Sequence, residues 1–314
     1  NKKLHTLYFQ LEWIFYKINL NKENFMPTTY AHWRFGDKCI KTLPVEIQKI
    51  INENRPIFDY GVHGPDIFFY YNCLKHNDIN QKGTDMHDTP YKDILAIFKS
   101  NYLKNQDDKD AKLAYLLGFT CHFTLDSYCH GYIEIKEETS KVSHGKIESQ
   151  FDRYLLIKDG YDPVKKSVTF SLKPDRKMAK DISELFGDID EETVYKTIKD
   201  QKKYLDLLKD SNCIKRFILN TGMDLAHCKD FKDLLLTTKN DPRCLDSSLR
   251  LDKYFDKAVE HYPILAQNLI DYLNNKEELP PYFKHDFTPK EDYRNLPVLG
   301  YEEEKKYEVK DLQD

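Results

Sequence analysis

Apolar residues along this chain recur mostly at spacings of three and four, and alternating runs are few. That period predicts α-helices and little else. One helix is expected from about Thr29 to Lys41, carrying His32. Pro44 suits the first turn of the next, VEIQKIINEN. Gly64 and Pro65 open a third over DIFFYYNCLK. Asp88 to Pro90 introduce YKDILAIFKSNYL, and Asp107 to Asp110 introduce the long KLAYLLGFTCHFTLDSYCH. Another runs from His144 to Leu156, with Ser143 as its cap. EETVYKTIKDQKKYLDLL repeats apolar positions at Val194, Ile198, Leu205 and Leu208. SSLRLDKYFDKAVEHYPILAQNLIDYL follows, with Pro263 read as a kink or break. The best strand candidate is SVTFSL at 167–172, a lone hairpin arm. His87, in GTDMHDTP, falls in a loop by composition. After about Asn275 the sequence turns polar and reads as an extended wrap or a loose end. The expected fold class is all-α, with a helical domain over 26–275 and a polar tail over 276–314.

The first 25 residues stand apart. Their apolar, aromatic middle is broken by Gln10, Glu12 and Lys17, and no small-residue cleavage site follows. A signal peptide is therefore not expected. Met26 is the first methionine. The segment is read as an extension upstream of the natural start, or else as an amphipathic piece that docks on the body or on a membrane surface.

Composition narrows the function classes. Of 314 residues 40% are hydrophobic and 13% aromatic, enough for a sizeable core. The net charge of −4 argues against a general nucleic-acid binder, so no stable nucleic-acid partner is expected. The seven cysteines are scattered, with no CxxC pair. They read as reduced core thiols of a cytoplasmic protein. No run reaches the roughly 18 apolar residues of a membrane-spanning helix, which leaves peripheral membrane contact open.

Candidate chemistry concentrates in the first half. Seven of the eleven histidines lie between 26 and about 160. From Leu113 to Leu125 nearly every residue is apolar, and a helix apolar all round is buried. His122 and Asp126 therefore point into the interior, where an ionised Asp needs a partner or a cation. His122, Asp126 and His130 follow one another at four-residue steps, spanning about 12 Å of helix axis. That is too long for one tetrahedral ion and suits two or more. His144 and Glu148 repeat the four-residue step. Asp66 sits at the start of an apolar helix, where a plain dipole interaction is the simpler reading. With His32 and His87 the set holds five His, two Asp and one Glu, donors that suit a cluster of two or three Zn2+ ions.

The order of these residues matches a known pattern. AHWRFG, HGPDIFFYY, MH, GFTCHFTLDSYCH and HGKIESQFDR together resemble the bacterial zinc-dependent phospholipase C family, over roughly residues 26 to 156. The resemblance implies a phospholipase C/nuclease-like helical bundle around a zinc cluster. It implies that His32 and Asp126 hold one ion, that Asp66, His87, His122 and the shared Asp126 hold a second, and that His130, His144 and Glu148 hold a third. It also implies a general-base role for Asp66. The reaction implied is hydrolysis of a phospholipid or similar phosphodiester to diacylglycerol and a phosphorylated headgroup.

Three departures stand out. Secreted relatives use a free amino terminus as a ligand of the first ion, whereas here 31 residues precede His32. The step from Asp126 to His130 is shorter than in the best-known relatives. The aromatic that follows the second-motif Asp is Ile67 here, so Phe68 and Phe69 are the candidates for a substrate-facing cation–π surface. Two other functions remain open: a single-strand nuclease or nucleotidase of the same fold, and a non-catalytic zinc- or lipid-binding protein.

Overall fold

A computed structural model of the protein describes residues 29–73, 75–209, 215, 221, 232–287 and 293–309. The 1–25 segment, Cys213 and Cys228 lie outside them. In chain order the main helices are α1 (Thr29–Ile40), α2 (Val45–Glu53), α3 (Arg55–Gly61), α4 (Asp78–His87), α5 (Tyr91–Lys104), α6 (Lys109–Ser140), α7 (His144–Lys158), α8 (Arg176–Phe186), α9 (Glu191–Leu208) and α10 (Leu245–Leu273). No strand occurs among the described residues, and the all-α expectation holds.

The long helix α6 is the axis of the fold. Between Ala111 and Ile133 every residue but Leu113 is buried. Side chains such as Leu116, Leu117 and Phe119 are wholly enclosed, each stabilising the fold by about 1.5–3 kcal/mol. Helices α1, α3, α7, α8 and α10 pack around it. The α3–α6 crossing is backbone against backbone. A Cβ on Gly61 would sit 2.4 Å from the Tyr115 carbonyl oxygen, and one on Gly118 would sit 2.5 Å from that of Phe58. Only glycine at both positions lets the helices approach this closely.

Several local expectations give way to tertiary structure. The helix expected over DIFFYYNCLK is a short 3-10 turn, Gly64–Tyr70. It begins on Gly64 at φ +49° and stops where Tyr71 turns extended. The Asn80 amide donates to the carbonyls of Phe68 and Tyr71 at 2.8 Å each, satisfying groups that a longer helix would have paired internally. SVTFSL forms turns and bends instead of a strand. Among the described residues it meets no neighbouring strand, and its side chains are anchored singly: Thr169 donates to Asp206 and Phe170 packs edge-on to Trp33 at 4.5 Å. His87 is not in a loop but at the C-terminal end of α4, which Asn77 caps. Pro263 does not break α10, because Tyr262, Leu265, Ala266 and Leu269 bury the helix on both sides of it. Ser143 does not cap α7; its hydroxyl donates to Asp233 at 2.7 Å.

The segment beyond Asn275 wraps the helices. Phe283 and Phe287 are enclosed in the core. Farther on, Glu304 pairs with Arg250 of α10 at 2.7 Å, both side chains fully buried. Tyr307 covers the guanidinium, 3.8 Å from its ring centroid. The described cysteines are unpaired thiols; Cys39, Cys121, Cys129 and Cys244 are buried and Cys73 is half-buried.

Candidate metal centre

Five elements deliver the eight candidate ligands to one place. His32 comes from α1 and Asp66 from the 3-10 turn. His87 ends α4. His122, Asp126 and His130 line one face of α6, and His144 and Glu148 open α7. They form three groups, each with ligand atoms within 4.8 Å of one another: His32, His122 and Asp126; Asp66, His87 and His122; His130, His144 and Glu148. The first two share His122. Asp126 links further, with Oδ1 3.3 Å from His32 Nε2 and 3.7 Å from His130 Nε2, and Oδ2 2.9 Å from His122 Nε2. Elsewhere His87 Nε2 is 3.2 Å from Asp66 Oδ1, and Glu148 Oε1 is 3.3 Å from His144 Nε2 and 3.6 Å from His130 Nε2.

The donor set fits divalent cations. The buried atoms Asp66 Oδ1, Glu148 Oε2, and Nε2 of His87, His122 and His144 make no hydrogen bond of acceptable geometry. Orphaned buried polar atoms are costly, and a cation in each group would satisfy the orphans of that group. The tautomer of His87 points the same way. Its Nδ1 lies 2.8 Å from the Gly83 carbonyl. A carbonyl only accepts, so Nδ1 carries the proton and Nε2 presents its lone pair to the centre, as in a metal-ligating histidine.

Without a cation the cluster divides its protons unevenly. Burial, and then the neighbouring His122, lower the pKa of His32 to about 4. Its ring stacks on His122 at 4.4 Å, too close for both to carry charge comfortably. Burial also opposes charge on His122 and His130, but the adjacent carboxylates more than offset it. Asp126 and Asp66 raise His122; Asp126 and Glu148 raise His130 to about 9. Burial likewise opposes ionisation of the two carboxylates. Even so, His122, His130 and His32 hold Asp126 well below the usual carboxylate range, and His144 and His130 bring Glu148 to about 2. The centre is thus preset with ionised carboxylates facing histidine protons, which a metal ion must displace.

The sequence model of the zinc-dependent phospholipase C family matches residues 31–220. The chain belongs to this family. No curated protein and no solved structure matches it. The three groups give this member of the family candidate places for metal ions, and no helix among the described residues is long and apolar enough to cross a membrane.

The two substrate-facing candidates separate. Phe68 is enclosed in the core, edge-on to Phe186 at 5.1 Å, and has no face left for a ligand. Phe69 is buried too and stacks on the His87 ring at 5.6 Å, so it supports a candidate ligand.

Four further residues shape the centre, and periodicity singled out none of them. Asp152 follows Glu148 by four residues and so shares its face. Its carboxylate accepts from the backbone N–H of Tyr30 at 3.0 Å and of Ala31 at 2.7 Å, fixing the first turn of α1 just before His32. Continuing the 144–148 step by one more turn would have found it. Gly64 lies so close to His122 that a Cβ there would be 2.3 Å from ring carbon Cδ2. His63 is buried, its Nε2 without a partner; burial and the nearby His32 and His122 hold its pKa well below the usual range. Phe287 donates its backbone N–H to the His87 carbonyl at 3.2 Å. Its ring lies 5.2 Å from that of His87 and 5.6 Å from that of His122. No local signal marks Phe287, because its contacts are about 200 and 165 positions away along the chain.

Proposed function

We propose that the protein is a zinc-dependent phosphodiester hydrolase that cleaves a phospholipid to diacylglycerol and a phosphorylated headgroup. The observation that carries this reading is the union of three His/carboxylate groups through His122 and Asp126. His32 and Asp126 would hold one ion, Asp66, His87 and His122 with the shared Asp126 a second, and His130, His144 and Glu148 a third. The two oxygens of Asp126 face His32 and His122 separately, which suits a carboxylate shared between two ions.

Zinc in such a cluster supplies a Lewis acid for a phosphoryl oxygen and lowers the pKa of a water. The protein supplies the rest. Asp66, whose Oδ1 receives no hydrogen bond, is placed to accept a proton from an attacking water. Asp126 and Glu148, ionised across the working pH range, balance the positive charge. Burial of the ligands keeps bulk water from screening these interactions.

Metal analysis of the purified protein, paired with hydrolysis of p-nitrophenyl phosphorylcholine, tests the proposal. Two or three zinc ions per chain and turnover that chelation abolishes are expected. Fewer than two metals would overturn the cluster. Cleavage of single-stranded DNA without lipid turnover would replace phospholipase by nuclease, and bound zinc with no hydrolysis would leave a binding protein.

A further inference from the structure

Beside the metal centre lies a cleft of about 570 Å3, its open mouth included. Its position follows from three lining residues. Thr29 stands one helical turn before His32, while Ser149 and Asp152 stand next to Glu148 and one turn beyond it. The cleft therefore borders two ligand-bearing helices, within about a helical pitch (roughly 5.4 Å) of their ligand positions.

The polar groups at that end are already engaged. Asp152 accepts from α1, and Ser149 donates to the Asp233 carbonyl at 2.6 Å. The wall left to select a ligand is apolar: Leu205 and Leu208 from α9, Leu234 and Leu236 from the segment after it, and Val164 and Val168 from the loop between α7 and α8. Two lysines, Lys166 and Lys209, add positive charge. A cleft with apolar walls, positive charge and one end against a metal centre complements an amphiphile with an anionic head.

The adjoining loop has the character of a lipid-facing surface. Lys166 Nζ lies 4.1 Å from the Tyr161 ring and 4.5 Å from the Phe170 ring. Both rings are exposed, by 42% and 39%. Exposed aromatics beside lysine are at home at a membrane–water boundary, where the ring sits among headgroups and the ammonium meets phosphate.

We infer that this cleft binds an acyl chain of the phospholipid substrate while the phosphoester lies over the metal centre. The inference rests on the hydrolase reading above. It assigns selectivity for chain length to Leu208, Leu236 and Val168.

Calorimetric titration of the zinc-loaded full chain with butyl-, hexyl- and octylphosphonate, each below its micelle concentration, tests it without turnover. Each fully buried CH2 is worth about fourfold in affinity, so Kd should fall by about tenfold or more from butyl to octyl. Leu208→Asp, and separately Val168→Trp, which fills the cleft, should flatten that slope and keep butylphosphonate binding, which also reports intact folding. A wild-type Kd independent of chain length, or slopes in both variants equal to wild type, would overturn the cleft assignment. Hydrolysis is measured in parallel. A wild-type protein with the chain-length slope but no phosphodiester turnover would support the cleft and sink only the hydrolase reading.

Discussion

Asp126 Oδ1 lies 3.3 Å from His32 Nε2, so a carboxylate in the middle of the central helix reaches a ring 94 positions earlier in the chain. The same carboxylate meets His122 through its other oxygen. Asp126→Asn removes the negative charge but keeps the shape. The variant should lose at least one zinc per chain and nearly all hydrolysis. Elemental analysis decides this, and an unchanged metal content would sink the shared-ligand role.

Protons compete with metal for His130. Its folded pKa of about 9 is raised above the ordinary 6.5. The stability its protonated form gives the metal-free protein is therefore fully present below about 6.5 and is lost as pH rises through about 9. Zinc must displace that proton, so apparent affinity should climb with pH by up to about tenfold per unit until near 9. Competition titrations at several pH values read this directly. A flat profile between pH 6.5 and 9 would contradict the assignment of His130 as a ligand.

Gly64 is fixed by two independent demands, its φ of +49° and the His122 ring against it. Gly64→Ala strains the backbone by about 1–3 kcal/mol and pushes the ring aside. Lower zinc affinity together with a lower denaturation midpoint is expected. Wild-type zinc binding in the variant would show that the ring has room to move.

Phe287 tests whether the wrapping tail belongs to the centre. Phe287→Ala should cost about 3–5 kcal/mol through the cavity it leaves. It should also weaken zinc binding, because His87 and His122 lose a supporting ring. Loss of stability with unaltered zinc affinity would confine Phe287 to packing.

The Arg250–Glu304 pair is enclosed on all sides. Glu304→Gln strands a buried guanidinium and should destabilise by about 3–5 kcal/mol. The double change Arg250→Met with Glu304→Leu should recover most of that loss, since no charge then remains to desolvate. Equal midpoints for the single and the double variant would count against a desolvation cost.

Much of the architecture was legible in the sequence because helix periodicity is a local property. The apolar run from Leu113 to Leu125 announced a buried central helix, and four-residue steps placed His122, Asp126 and His130 on one face, with His144 and Glu148 paired on another. Where local signals misled, a distant partner had supplied what the local sequence lacked. Asn80 satisfies the carbonyls of the 3-10 turn, and Thr169 finds Asp206 instead of a neighbouring strand.

The sequence by itself determined the all-α class, the central helix and the ligand spacing within each helix, since backbone hydrogen bonding and the 3.6-residue period act within a few residues. Only the tertiary structure decided that His32, Asp66 and His87 converge on that helix, that Asp152 and Phe287 hold them there, and that a polar-looking tail carries core residues. Those relations depend on close packing between segments far apart in the chain. Side chains of one segment fill the space that another leaves, and no local pattern encodes that complementarity.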